Sequence, residues 1–138
     1  MYIEPIVLLT KTYNEMDVIT PQVEQIVKES GIQNGMVTVL TKAPPPRELT
    51  VETRPWKCLE SDIALFLQRQ APEDAPYSHA RMLRDYGSTA GNPTGHLKAY
   101  LTGNHCHFPL VEGEMIRGGA QDIYFCEFDG PAKRTIWS

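Results

Sequence analysis

The chain has 138 residues, of which 41% are hydrophobic and 22% charged, with a formal net charge of -4. That length can bury a core, and the composition is close to that of ordinary folded domains, so disorder and broad electrostatic binding of nucleic acid are not expected. No apolar run reaches the ~20 residues that span a bilayer, and Met1-Tyr2-Ile3-Glu4-Pro5 lacks the basic start of a secretory leader.

Ile6 to Thr12 is a β-branched, apolar run that predicts a strand, and Asn14-Glu15 reads as a turn. Thr20-Pro21 opens a helix: Thr can cap free N–H groups and Pro suits the first helical position. Val23, Ile26 and Val27 share one face, and Ser30-Gly31 ends the helix. Met36 to Thr41 reads as a strand with Val37, Val39 and Thr41 on one side. Ala43-Pro44-Pro45-Pro46 interrupts it, since three prolines cannot join a ladder. Leu49 to Glu52 resumes as a strand. Lys57 to Gln70 fits a second helix with the stripe Leu59, Ile63, Phe66, Leu67, which reads as core packing. Pro72 to Pro93 is irregular, a length of loop that in a small domain points to function. Strands are then expected at His96–Leu101, at His105–Val111 paired with Glu114–Arg117 across Glu112-Gly113, at Asp122–Phe128 and at Lys133–Trp137. The order predicts a single domain over 1–138, α+β in class, with β-sandwich-like antiparallel sheets and two helices.

All four histidines fall late: His79, His96, His105 and His107. Imidazole is the natural acid/base near neutral pH and a common metal ligand. His79 lies in the long loop and His96 opens a strand, neither an ordinary core position. His105 and His107, two apart on a strand, share a face; surface residues are the simplest reading, a metal site completed by a third ligand the sharper one. Glu52 ends a strand beside a loop, where functional carboxylates often sit, while Asp62 reads as a solvated helix residue. Lys98, Arg117 and Arg134 are cations able to contact phosphate. Cys58, Cys106 and Cys126 form no CxxC pair, so free thiols, a reducing compartment and the cytoplasm are expected. Phosphate loops, nucleophile elbows and zinc-protease helices have no match.

Several segments together resemble the YjbQ family, whose members are also called secondary thiamine-phosphate synthases. These are Ile19-Thr20-Pro21-Gln22-Val23-Glu24 with Ile26 to Ile32, Gly95-His96-Leu97-Lys98-Ala99-Tyr100-Leu101-Thr102-Gly103, Gly118-Gly119-Ala120-Gln121, and Ile123-Tyr124 with Glu127-Phe128-Asp129-Gly130-Pro131. The resemblance runs from about Ile6 to Ile136. It implies a β-sandwich-like α+β fold, a homotrimer, and a histidine-lined pocket that often holds a divalent metal, zinc or magnesium. It also implies weak thiamine-phosphate synthase activity, which joins a pyrimidine pyrophosphate to a thiazole phosphate. No nucleic acid or membrane partner is implied.

Carried over by position, Tyr77-Ser78-His79 matches the family's Y-x-H, and His96 its second histidine. Glu52 and Asp62 align with family carboxylates. The resemblance thus makes His79, His96 and Glu52 the catalytic candidates, His79 and His96 the metal ligands, and Lys98 and Arg117 the phosphate-binding cations. The family's H-T-T-A-G loop is missing: its histidine falls at Ala43, its threonines at Pro44 and Pro45, its Ala-Gly at Pro46-Arg47. Ala120 and Ala132 replace a tryptophan and an arginine. Losing one ligand weakens a metal site, so the alternative to an enzyme is a catalytically impaired trimeric relative that binds a small ligand or a protein.

Overall fold

The computed structural model describes residues 1–41, 47–53, 57–82 and 91–138, with side chains throughout except at 47–53, 57–58 and 81–82. Among the described residues, eight strands form two antiparallel sheets. The larger has the order β1 (Pro5–Leu9), β8 (Lys133–Trp137), β3 (Gly35–Thr41), β5 (His105–Val111), β6 (Glu114–Met115). The smaller has β2 (Glu15–Val18), β7 (Gln121–Glu127) and β4 (Arg47–Thr53). The described residues also form helices α1 (Thr20–Ser30), α2 (Lys57–Gln70) and α3 (Pro93–Thr102), with a short 3₁₀ turn at His79–Met82. The α+β class and the antiparallel sandwich are as expected; the third helix is not.

β7 explains the layering. It lies between β2 and β4 and is buried on both faces. Ile123 and Phe125 point to the larger sheet, where they meet Val37 and Val39 of β3, Phe108 of β5, Ile136 of β8 and Val23 of α1. Tyr124 and Cys126 point the other way, to Leu67 of α2 and Ala99 of α3, with Phe128 beyond the strand end. The smaller sheet is thus covered by the larger sheet on one face and by α2 and α3 on the other. Burying a side chain such as Phe125 contributes about 2–3 kcal/mol.

Local chemistry matches the sequence at most joints. Gly31 ends α1 with φ +65°, a left-handed position that glycine fills without strain. The β5–β6 turn runs through Glu112 and Gly113, both with positive φ, as a tight two-residue hairpin requires. Three expectations need correction. Thr20 does not cap α1; it is the first helical residue, and its hydroxyl instead accepts the Ile123 N–H at 2.7 Å, pinning α1 to β7. Glu15 belongs to a strand rather than a turn, because pairing with β7 satisfies its backbone. Phe66 is exposed, so the inner stripe of α2 narrows to Ile63 and Leu67. The proline-rich 43–46 loop lies outside the described residues.

Candidate functional site

The expected strand at His96–Leu101 is a helix. Asn92 caps it, its Oδ1 accepting the Gly95 N–H at 2.7 Å, and Pro93 takes the first turn, where its missing N–H costs nothing. Asn92-Pro93 is a helix-start signal that is easily absorbed into the Pro- and Gly-rich segment before it. The Asn92 amide also donates to Phe128 O at 2.6 Å and to Asp129 Oδ1 at 3.0 Å, so one side chain fixes both the start of α3 and its seat at the end of β7.

His79 opens the 3₁₀ turn and His96 lies in the first turns of α3. Their rings meet edge to face, centroids 4.8 Å apart at 88°. His79 Nε2 is buried and has no hydrogen-bond partner among the described residues. A buried imidazole nitrogen left unpaired is costly in a dry site, which singles this atom out. The two histidines singled out from the sequence are therefore brought together.

Glu73 makes that meeting possible, and no sequence pattern pointed to it. From the segment after α2 it accepts the Thr94 hydroxyl at 2.8 Å and the Lys98 ammonium at 2.9 Å, both on α3. The Tyr77 hydroxyl donates to Pro72 O at 2.8 Å and closes the same segment into a compact turn. Glu73 thus ties the stretch leading to His79 onto the helix carrying His96. Partial burial alone would raise its carboxyl, but the Lys98 and Thr94 hydrogen bonds and the Lys98 charge outweigh that and hold it below the usual value. A carboxylate held low stabilises the fold above its unfolded pKa and loses that contribution as pH falls through the folded value. Wild-type stability should therefore drop more than that of Glu73→Gln between about pH 5 and pH 3, around the free Glu value, when urea midpoints are compared. Equal drops in the two proteins would show that the clamp contributes nothing.

The remaining candidates lie elsewhere. Lys98 is buried and engaged by Glu73, and two residues along a helix from His96 it emerges about 200° away. It lines a cleft of about 570 Å³ with Tyr13, Asn14, Met16, Ala64 and Leu67. Arg117 pairs with Glu24 of α1 at 2.6 Å and donates to Gln121 O at 2.7 Å. Asp62 is solvent-exposed on α2, as expected. The backbone of Glu52 is paired with Asp122, but its side chain, like that of Cys58 and the whole of Ala43, lies outside what is described. His105 and His107 are exposed on the outer face of β5, where their spacing placed them. Cys106 and Cys126 are buried and form no disulfide, and burial pushes the Cys106 thiol up to about 11, which makes it inert.

The sequence profile of the family described as UPF0047 protein YjbQ-like matches residues 4–138. The chain belongs to the YjbQ family. A UPF0047 protein of Methanothermobacter thermautotrophicus is 32% identical over 136 residues, covering 99% of this chain and 89% of that protein. One from Archaeoglobus fulgidus is 33% identical over 131 residues, covering 94% of each. Among solved structures, a YbjQ-like protein of unknown function from Sulfolobus solfataricus superposes with a TM-score of 0.86 at 30% identity, covering 99% of this chain and 93% of that one. A YjbQ/UPF0047 protein from Clostridium acetobutylicum gives 0.86 at 28% identity, covering 98% of each. The two solved structures share the fold described above. No helix among the described residues is long and apolar enough to cross a membrane.

Proposed function

We propose that this YjbQ protein is a transferase of the thiamine-phosphate synthase type whose working centre is the His79–His96 pair. The observation that carries the reading is the edge-to-face contact of the two imidazoles, with His79 Nε2 buried and unpaired among the described residues. In the reaction, a ring nitrogen of a thiazole phosphate forms a bond to the methylene carbon of a pyrimidine pyrophosphate, and the C–O bond to pyrophosphate breaks. The protein must orient the two rings and stabilise the departing charge. Where no ion is bound, His79 Nε2 would hold a proton against a leaving-group oxygen, with the His96 ring packed beside it. Glu52 is the proposed carboxylate partner. Lys98 and Arg117, engaged by Glu73 and by Glu24 away from the pair, are given no role in this step.

A divalent metal fits the pair in part. Two imidazoles sharing one ion, each about 2 Å from it, have ring centroids roughly 4.5–5.2 Å apart for angles between 90° and tetrahedral; the pair stands at 4.8 Å. Nitrogen donors suit zinc better than magnesium. Among the described residues no third His, Cys, Asp or Glu joins them. His79 and His96 would hold the ion, which would neutralise negative charge on pyrophosphate.

The test is product formation from the two substrates with and without zinc or magnesium. Wild type should make thiamine phosphate, and His79→Ala and His96→Ala should each lose about 100-fold or more. A wild-type protein that makes none under any metal condition overturns the transferase reading. The replaced loop histidine then favours the second reading, an impaired trimeric relative that binds a ligand or protein. Elemental analysis beside Ala43→His separates the two: metal only in the variant marks a disabled site. Assembly as a homotrimer is supported by exposed Val7 and Leu9 on the edge strand β1, and a cytoplasmic location by the buried cysteines, which form no disulfide.

A further inference from the structure

The outer face of β5 carries a second imidazole pair. Strand alternation puts His105 and His107 outward and Cys106 inward, so the inert thiol takes no part. The two rings have centroids 4.9 Å apart, tilted by 56°. That spacing also falls within the roughly 4.5–5.2 Å expected of two imidazoles on one ion about 2 Å from each nitrogen.

Each ring is held through the same atom. His105 Nδ1 lies 2.9 Å from Asn104 Oδ1, and His107 Nδ1 lies 3.0 Å from Thr38 Oγ1 on the neighbouring strand. Asn104 Oδ1 can only accept, so His105 Nδ1 carries the proton and Nε2 keeps its lone pair. The Thr38 hydroxyl can accept in the same way from His107. Metal-binding histidines are usually set up like this, one ring N–H donated to an oxygen and the other nitrogen presented to the ion. β3 fixes the arrangement, since Thr38 is the register partner of His107.

We infer that His105 and His107 form a surface site for a late first-row divalent ion, with copper(II) bound most tightly. Two neutral nitrogen donors, open to solvent, suit copper(II), which accepts tetragonal nitrogen and water ligands and heads the affinity order for such donors. The site is separate from the His79–His96 pair and does not rest on its proposed role.

Copper(II) titration of the full chain tests it, followed by calorimetry, in a His79→Ala/His96→Ala background that removes the other pair. That protein should bind one equivalent of copper(II), and adding His107→Ala should weaken binding about tenfold or more, because one imidazole alone lacks the second donor's effective concentration. Magnesium should not compete. Should the background variant not fold, wild type serves instead: the first sub-stoichiometric copper(II) should broaden the His105 and His107 ring-proton NMR signals before those of His79 and His96. Unchanged affinity on adding His107→Ala, no binding in the folded background variant, or earlier broadening at His79 and His96 would each overturn the site.

Discussion

Replacing Arg134 by leucine should destabilise the protein by about 3–5 kcal/mol, the usual cost of leaving a buried charge without its partner. Glu127 is fully buried at the end of β7. Its carboxylate accepts Arg134 Nη2 at 2.8 Å, Arg134 Nε, the Asp129 N–H at 2.9 Å, the Phe128 N–H at 3.1 Å and the Thr10 hydroxyl at 3.2 Å. Five donors from four residues converge on one group, and Arg134, which supplies two of them, is the charged residue among them. Without it the carboxylate must stay ionised in a dry site or take up a proton and lose donors. Urea unfolding of Arg134→Leu beside Glu127→Gln/Arg134→Leu measures the effect. The double variant should recover much of the loss, because two neutral groups cost less to bury than one unpaired charge. A loss below about 1 kcal/mol in the single variant, the range of an exposed pair, would show that water reaches Glu127.

Gly130→Ala should cost about 3 kcal/mol, at the upper end of overpacking. An added Cβ would stand 2.1 Å from the backbone oxygen of Thr12 and 3.0 Å from Glu127 Cγ. No rotamer relieves contact with a backbone atom, so the segment 10–13 or the turn must move. That movement breaks the Gly130 N–H bond to Tyr13 O and strains the exchange between Thr10 and Ala132. The neighbouring Phe128 and Asp129 anchor Asn92, which caps the helix carrying His96. Thermal unfolding should show the loss, and ring-proton NMR should show His96 shifted. A variant with wild-type stability would mean that the turn relaxes freely and does not constrain α3.

The same turn illustrates what a sequence carries. Asp129-Gly130-Pro131 reads as a turn from its residue types alone, and so it is. The residue types cannot show that Glu127, two positions earlier, is the buried hub of five hydrogen bonds, because its partners lie up to 117 residues away. On alternation Glu127 belongs with Ile123 and Phe125; what makes its burial tolerable is Arg134 on another strand.

Local rules therefore determined α1, α2, β3, β5 and β8, the hairpin at Glu112-Gly113 and the outward pairing of His105 with His107. Each depends on periodicity or turn chemistry within a few residues. Family membership was legible too, through segments spread along the chain, and with it His79 and His96 as the pair to watch. Tertiary structure decided the rest. It made residues 93–102 a helix because Asn92 both caps it and binds the end of β7. It committed Lys98 to Glu73, which no short-range pattern connects, and through that clamp brought His79 against His96. A sequence lists which groups can pair, but burial and distance, set by the whole fold, choose which of them do.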